Sequence, residues 1–384
     1  MENKEYILFG AGEYGKKVIK KIGYENIRYI IDNDEKKQGT SIEGIEIISF
    51  DEYLKMEEKY PVLIGSDEIH RYEMEQQLKK NGICNYRFVW FPFCHHDVLV
   101  ENAYDTVPDK TEDEWNDAVA HSGMQERVNT YVNAVKADVP LFNNIEIETI
   151  NRCNGTCSFC PVNKFKDIRE EKIMDIGLFE KIIAQLEDLN YSGRLALFSN
   201  DEPLLDERII ELSKYAREHL PYAQIHMFSN GTLFTLQKFI ALLPYLDELI
   251  IDNYSEKLQL IKPCREIKEY VEAHPEIQKK VVIILRKPNE ILTSRGGDAP
   301  NRKNMVSYEH AACALPFQQL VVRPDGKVSL CCNDPYGKCT LGDLNQQSIL
   351  EVWYGPQYNM LRKCIAEGRS QWDHCRNCDT FMLF

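Results

Sequence analysis

Cys153, Cys157 and Cys160 constrain this chain more than any other feature. They place three thiols within eight residues, spaced C-x₃-C-x₂-C, with the aromatic Phe159 just before the last. The strand-like run Ile145-Glu-Ile-Glu-Thr-Ile150 leads into them, so the fold must deliver a thiol-rich loop from the end of a strand. Clustered thiolates hold zinc or iron–sulfur clusters. Zinc usually gathers four ligands from closely spaced pairs, and a four-iron cubane normally takes four thiolates. Three ligands on one loop leave one iron of a cubane open to another molecule. A structural zinc site stays open as the alternative reading of the spacing.

The flanking pattern is a regular alternation. Helices are expected at Asp175–Leu189, Glu207–Leu220, Leu236–Leu246 and Ser255–Ala273. They separate strands expected at Arg194–Phe198, Ala223–Phe228, Glu248–Asp252 and Lys280–Leu285, with Gln318–Val322 as a sixth. Strands alternating with helices imply a parallel sheet. In parallel α/β barrels the chemistry sits at the C-terminal ends of the strands, where the Cys loop falls.

The spacing of Cys153, Cys157 and Cys160, with Phe159, resembles the cluster loop of the radical S-adenosylmethionine (SAM) superfamily. The resemblance covers residues 141–384. It implies a partial (β/α)₆ TIM barrel, a [4Fe–4S] cluster on the three thiols, and SAM chelated at the open iron through its amino and carboxylate groups. One electron then cleaves SAM to methionine and a 5′-deoxyadenosyl radical that removes hydrogen atoms from carbon. Ser199-Asn-Asp-Glu202-Pro203 stands where the family carries Gly-Gly-Glu-Pro beside the SAM ammonium. Glu202 and Pro203 are kept, and Asn200 and Asp201 replace the glycines. Ser229-Asn230-Gly231 resembles the Thr-Asn-Gly near the SAM ribose, and Arg286 is the expected partner of the SAM carboxylate by bidentate pairing. Read without the family, the acids at 201 and 202 are a helix start and Asn230-Gly231 is an ordinary turn.

The C-terminal region carries a second set of thiols: Cys313, then Cys331-Cys332 after a hairpin around Asp325-Gly326, then Cys375-Arg-Asn-Cys378. With Leu341-Gly342-Asp and Ile349-Leu-Glu-Val-Trp353 it resembles the SPASM/twitch extension, in its short form. That resemblance implies one auxiliary [4Fe–4S] cluster on Cys313, Cys331, Cys375 and Cys378, with Cys332 as the alternative to Cys331. Cys339 and Cys364 are expected to pack as small hydrophobes. A fully ligated cluster suits an oxidation, because it can accept the electron left on a carbon whose hydroxyl proton a base has removed. Arg295, ahead of Cys313, matches the place of a substrate-contacting Arg in a related aminocyclitol dehydrogenase. Cys264 or Cys332 would serve as hydrogen donor in an epimerase.

The first 92 residues read as a separate α/β unit. Strands are expected at Tyr6–Phe9, Ile27–Asp32, Pro61–Gly65 and Tyr86–Trp90, with helices at Lys16–Ile22 and about Glu68–Lys80. Gly10, Gly12 and Gly15 follow the first strand as G-x-G-x-x-G, and Asp32 ends the second, which is the dinucleotide fingerprint in its proper context. The unit resembles the Rossmann-like, nucleotide-sugar-binding domain in front of some sugar acyltransferases; a nucleotide-sugar or dinucleotide is the implied ligand, and a ligand-free docking domain is the other reading. Residues 93–140 read as a connector with an amphipathic helix over Thr111–Lys136, followed by the barrel at 141–300 and the cluster extension at 301–384.

Bulk properties narrow the class. No apolar run approaches a membrane span, and the start, Met1 to Tyr6, lacks a signal-peptide pattern, so a cytoplasmic location is expected. Thirteen Cys in such a chain argue for metal or redox use over disulfides. A formal charge of −14 speaks against nucleic-acid binding. The expected partners are a small-molecule substrate and a reductant such as flavodoxin or ferredoxin. The expectation is a radical SAM oxidoreductase acting on a sugar, nucleotide-sugar or aminocyclitol by dehydrogenation or epimerisation. The rivals are a peptide maturase, whose usual winged-helix front module is replaced here, and a zinc-stabilised, non-catalytic sugar-binding protein.

Overall fold

The computed structural model describes residues 6–93, 98–102 and 110–383. The chain is mixed α/β and divides into two compact units, Met1–Phe91 and Pro92–Phe384. The reading of the N-terminal start rests on residues 1–5, which lie outside the described residues. Among the described residues no helix is long and apolar enough to cross a membrane.

The first unit runs β1 (Tyr6–Phe9), α1 (Glu13–Ile22), β2 (Ile27–Ile31), β3 (Ser41–Ile42), β4 (Ile45–Ile48), α2 (Phe50–Lys55), β5 (Val62–Ile64), α3 (Glu68–Lys80) and β6 (Tyr86–Phe88). Its sheet has the order β3-β4-β2-β1-β5-β6, parallel except for the β3–β4 hairpin. That hairpin and α2 were not expected from periodicity. They come from turn chemistry at Glu43-Gly44, both with positive φ, and from a Ser49/Glu52 capping box that starts α2. Both faces of the sheet are buried, with Leu8, Ile30 and Leu63 on one side and Ile7, Phe9 and Ile64 on the other, as a doubly covered parallel sheet requires.

The turn from β1 into α1 is sterically tight. Gly10 has φ +112°, and a Cβ on Gly15 would sit 1.9 Å from the Gly10 carbonyl oxygen. Asp32 braces the same turn: its Oδ2 accepts the Ala11 N–H at 2.7 Å and the Lys37 ammonium at 3.2 Å, and its Oδ1 accepts the Asp34 N–H at 2.8 Å. Gly15→Ala should therefore destabilise this unit by about 3 kcal/mol, the upper end of ordinary overpacking costs. An unfolding midpoint for the first transition equal to that of the unchanged chain would contradict it.

The second unit continues with β7 (Val100–Asn102), α4 (Glu112–Ala120), α5 (Met124–Val135), β8 (Asn144–Ile147), α6 (Ile176–Asp188), β9 (Arg194–Ala196), α7 (Ile209–His219), β10 (Gln224–Ser229), α8 (Leu236–Leu242), β11 (Glu248–Tyr254), α9 (Lys262–Glu272) and β12 (Val281–Arg286). It ends with α10 (Leu315–Gln318), β13 (Gln319–Val322), β14 (Lys327–Ser329), β15 (Thr340–Asp343), α11 (Ile349–Trp353), α12 (Pro356–Glu367) and α13 (Asp373–Arg376). One nine-stranded sheet has the order β15-β14-β13-β8-β9-β10-β11-β12-β7. It is parallel from β13 to β7, and β14 and β15 add antiparallel.

Three elements differ from the expectations. The single helix over Thr111–Lys136 is two, because Gly123 takes φ +68° between α4 and α5. The connector also supplies β7, which pairs with β12; its residues 94–97 and 103–109 lie outside the described residues. The helix expected from Ser255 starts at Lys262. The Asn253 side chain donates to the Gln259 carbonyl at 3.0 Å and accepts the Ile261 N–H at 2.9 Å, holding the intervening loop, and Pro263 opens the helix.

Sheet edge and hairpin share one strand. β13 is parallel to β8 on one side and antiparallel to β14 on the other, with Gly326 at φ +82° in the turn. The thiols that follow β14 are thereby brought beside the strand that delivers the Cys153 loop. A continuous apolar core links the strands to α6–α9, α11 and α12. Trp353 is fully buried there, its indole N–H donating to the Pro140 carbonyl at 2.9 Å.

Candidate active site

Cys153, Cys157 and Cys160 all line one cavity of about 410 Å³ at the C-terminal ends of β8–β11. The loop wraps on itself. Asn163 Nδ2 donates to the Cys157 and Cys160 carbonyls, each at 2.9 Å, and the Gly155 N–H donates to the Cys153 sulfur at 3.2 Å. A Cβ on Gly155 would lie 3.2 Å from the Cys153 sulfur and 4.0 Å from that of Cys157, so glycine keeps the space between the two thiols clear. Burial pushes the Cys153 and Cys157 thiols up to about 12; a positively charged centre between them reverses that. A cradle of three thiols with an amide aimed at one sulfur suits a cluster. Phe159 also lines the cavity, its ring 5.9 Å from that of Tyr254.

Glu202, Ser229 and Asn230 converge on the same cavity. Glu202 Oε1 accepts the Ser229 hydroxyl at 2.8 Å and the Leu204 N–H at 3.2 Å, and Oε2 accepts the Asn230 N–H at 2.7 Å. Burial outweighs these bonds and raises the carboxyl to about 7. Three donors leave the carboxylate room for one more. Asn230 Nδ2 reaches Asn154 Oδ1 at 2.8 Å, tying the β10 end to the Cys loop.

Asn200, in place of a glycine, is a junction. Its Oδ1 accepts Arg295 Nη2 at 2.7 Å, its Nδ2 donates to the Cys332 carbonyl at 3.2 Å, and its own carbonyl accepts Arg169 Nη2 at 2.8 Å. Asp201 turns inward, with Oδ1 accepting the Ser199 N–H at 2.7 Å. Arg295 lines the cavity with φ +52°, a conformation uncommon for a non-glycine residue and found where function demands it.

Arg286 lies elsewhere. Its guanidinium donates to Glu290 at 2.8 and 3.1 Å and to Asp252 at 3.3 Å, and it does not line the cavity, whereas Asp252 does. Three of its five N–H donors are used in this way, and Asp252 links it to the cavity.

The cavity has a polar wall and an aromatic one. Glu146, on β8, accepts Gln319 Nε2 at 2.6 Å and Ser199 Oγ at 2.7 Å. It is deep in the protein yet partly open to the cavity, and burial lifts its carboxyl to about 6 against the pull of Ser199 and Arg295. Opposite stand Phe93, Phe198, His226 and Phe228, with ring centroids between 4.8 and 6.2 Å apart for the Phe93–His226, Phe93–Phe228, Phe198–His226 and Phe198–Phe228 pairs. Burial lowers His226 to about 3, so its ring is neutral.

The C-terminal thiols form a second group. Cys313, Cys331, Cys375 and Cys378 are all buried, and the Cys331 thiol is raised by burial and then by Cys332, Cys378, Cys375 and Cys313 around it. Arg369, also buried, donates to the Ala312 and Thr380 carbonyls at 2.9 and 3.0 Å and to that of Cys378, fastening the two segments that carry three of these thiols. Cys332 has different surroundings: burial raises it to about 12, and Glu146, Arg295 and Cys378 act on it. Adjacent residues leaving a strand point to opposite sides. Cys264 is buried under β11, where a Cβ on Gly231 would touch its sulfur at 2.8 Å. Cys364 is half-buried and bonded to Gln371 at 3.2 Å. Among the described residues no three His, Cys, Asp or Glu side chains are set to close on a single metal ion; a cubane takes each thiolate at a different iron.

Residues 147–259 match the radical SAM superfamily, and residues 313–379 match SPASM, an iron–sulfur cluster-binding domain. The chain carries a radical SAM domain and a SPASM domain. It is 28% identical over 240 residues to the S-adenosyl-L-methionine-dependent 2-deoxy-scyllo-inosamine dehydrogenase of Niallia circulans, covering 62% of this chain and 93% of that protein. The structure of BtrN in complex with AdoMet and 2-DOIA matches with 27% identity and a TM-score of 0.54, over 62% of this chain and 94% of the other. Selenomethionine BtrN in an open conformation matches with 24% identity and a TM-score of 0.47, over 62% and 92%.

The radical SAM match begins at Ile147, on the strand whose alternation was the overlooked signal. Asn144, Glu146 and Glu148 alternate with Ile145 and Ile147, although a parallel strand covered on both faces reads as continuous apolar residues. Polar residues at every second position mark a face that lines a cavity. His226 follows the same rule on β10.

Proposed function

We propose that the protein is a radical SAM dehydrogenase that oxidises a hydroxyl-bearing carbon of a sugar, nucleotide-sugar or aminocyclitol. The observation that carries this is the single chamber shared by Cys153, Cys157 and Cys160, the Glu202–Ser229–Asn230 group and the Glu146–Arg295 pair. The relationship to an aminocyclitol dehydrogenase supports the substrate class. The seven parallel strands form the partial barrel, and the first unit is Rossmann-like, with Asp32 serving its own glycine turn.

Cys153, Cys157 and Cys160 would hold a [4Fe–4S] cluster, which when bound would supply the electron for reductive cleavage of SAM. Glu202, with its free acceptor capacity, receives the SAM ammonium; Ser229 and Asn230 orient Glu202 and border the ribose. Phe159 packs beside the ligand. Arg286 acts by positioning Asp252. Glu146 takes the hydroxyl proton: buried beside Arg295, with its carboxyl near 6, it is ionised at neutral pH yet basic enough to accept a proton. Arg295 binds the substrate oxygen. The ring faces of Phe93, Phe198 and Phe228 close the chamber against water, which a radical reaction needs.

Cys313, Cys331, Cys375 and Cys378 hold the auxiliary [4Fe–4S] cluster. The protein reconstituted without oxygen should contain about eight irons per chain, four for each cubane. Cys331→Ala should fall to about four, and Cys332→Ala should keep about eight, because Cys313, Cys375 and Cys378 all act on Cys331, whereas of these only Cys378 acts on Cys332. The reverse result would move the ligand to Cys332. The reaction itself is tested with polyols and aminocyclitols deuterated at each carbinol carbon. Label should pass into 5′-deoxyadenosine with a ketone product three mass units lighter than the deuterated substrate, one deuterium and one hydrogen having left. Unlabelled 5′-deoxyadenosine with every such substrate would overturn the reading.

A further inference from the structure

We propose that Asn200 is the positioning residue that fixes the Arg295 guanidinium at its distance from Glu146 in the chamber; the inference rests on the roles assigned to that pair above. Asn200 is 5% exposed and lines the chamber. Its Nδ2 donates to Ser199 Oγ and to the Cys332 carbonyl, each at 3.2 Å, and its Oδ1 accepts Arg295 Nη2 at 2.7 Å. Both donors and the acceptor oxygen of the amide are therefore in use.

The partners admit only one orientation of that amide. A carbonyl oxygen can only accept and a guanidinium can only donate, so the NH₂ group faces Cys332 and the oxygen faces Arg295. Ser199 gives its single hydroxyl hydrogen to Glu146 Oε2 at 2.7 Å, which leaves its oxygen to accept from Asn200. Aspartate lacks the two donors, and glycine lacks all three groups. The contacts then close into a ring. The Cys332 N–H donates to Gln319 Oε1 at 3.0 Å, and Gln319 Nε2 donates to Glu146 Oε1 at 2.6 Å. From Glu146 the ring runs through Ser199, Asn200, the Cys332 backbone and Gln319 back to Glu146, with Arg295 attached at Asn200. Linked hydrogen bonds of this kind polarise and strengthen one another away from water. Glu146 takes the hydroxyl proton while Arg295 holds the oxygen, so their separation decides whether one bound carbinol meets both.

The backbone of Arg295 is held independently. Ser294 is fully buried, its N–H donating to Asp379 Oδ1 and its hydroxyl to the Asn377 carbonyl, each at 2.7 Å. Asp379 Oδ2 in turn accepts Trp115 Nε1 at 2.8 Å and Arg302 Nη1 at 2.9 Å. Glu146 likewise keeps its own bonds to Ser199 and Gln319 without Asn200. Removing the Asn200 side chain therefore frees the guanidinium and leaves both the loop and the carboxylate in place.

The test uses the reconstituted full chain with Asn200→Ala and, as a second variant with the same losses, Asn200→Gly. In crystals of each, the Arg295 guanidinium should move by more than about 1 Å, a displacement large enough to matter for catalysis. Iron should stay at about eight per chain. With the carbinol identified by the deuterium survey, kcat/KM should fall by about 10²-fold in both variants. In an Arg295→Ala background, Asn200→Ala should change kcat/KM by less than about twofold, because a residue that acts through Arg295 has nothing left to place. A guanidinium that keeps its position in the crystals, or an undiminished loss in the Arg295→Ala background, would overturn the assignment. A survey that identifies no carbinol would instead overturn the dehydrogenase reading, and the crystals would still decide the role of Asn200.

Discussion

Replacing Cys157 by Ala is expected to reduce both substrate oxidation and reductive SAM cleavage to background, with iron falling from about eight to about four per chain. The three thiols share one cavity, and among the described residues no other thiol lines it. Losing one of three ligands leaves two irons without protein donors. The loop itself should survive, since its hydrogen bonds run through Asn163 and the Gly155 amide rather than through the Cys157 sulfur. Circular dichroism should therefore match the unchanged protein. Full iron content with retained 5′-deoxyadenosine formation would show that the cluster is bound elsewhere.

Glu146→Gln separates radical formation from substrate oxidation. The substitution keeps the size of the side chain and removes its ability to hold a proton. Product formation should fall by about 10²–10⁴, the range for loss of a positioned general base. SAM cleavage in the absence of substrate should persist, because Glu202, Ser229 and the Cys loop are untouched. The sign of the pH dependence follows from the carboxyl raised to about 6. Only the ionised form accepts a proton, so the oxidation rate should rise with pH up to about 6 and level off above it. In Glu146→Gln that limb should vanish. A variant that keeps both full rate and the acid limb would assign the base elsewhere, with Asp201, Glu202 and Asp252 the other carboxylates lining the chamber.

Much of the fold could be read from local pattern. Strands β8 to β13 lie within a few residues of the runs rich in Ile, Leu and Val, since a parallel strand buried on both faces needs such runs. The hairpin around Gly326 followed from Asp-Gly chemistry. β7 and β3 escaped because three- and two-residue strands have too few positions to show a period. The split of α4 from α5 turned on Gly123 alone, whose positive φ outweighed an apolar spacing continuous across it.

The site divides in the same way. Cys153, Cys157, Cys160 and Glu202 were legible because short spacings survive without knowledge of the fold. Glu146, His226 and Phe93 were not, because they meet only when strands far apart in sequence line up in one sheet. Arg286 could be named from its place at a strand end, but its partners Asp252 and Glu290 come from the packing of the strand ends and show in no spacing.

The sequence by itself determined the chemistry on offer: three thiols on a strand-end loop, a second thiol set behind an Asp-Gly hairpin, and a glycine turn at the front. Spacing along the chain is enough for that, since thiols a few residues apart on one loop can converge whatever surrounds them. Only the tertiary structure decided which groups share a chamber with the loop. It gathered Cys313, Cys375 and Cys378 around Cys331, and it enclosed the Glu146 carboxylate at a depth that raises its affinity for a proton. Burial and direction are properties of packing between distant segments, and no single stretch of sequence contains them.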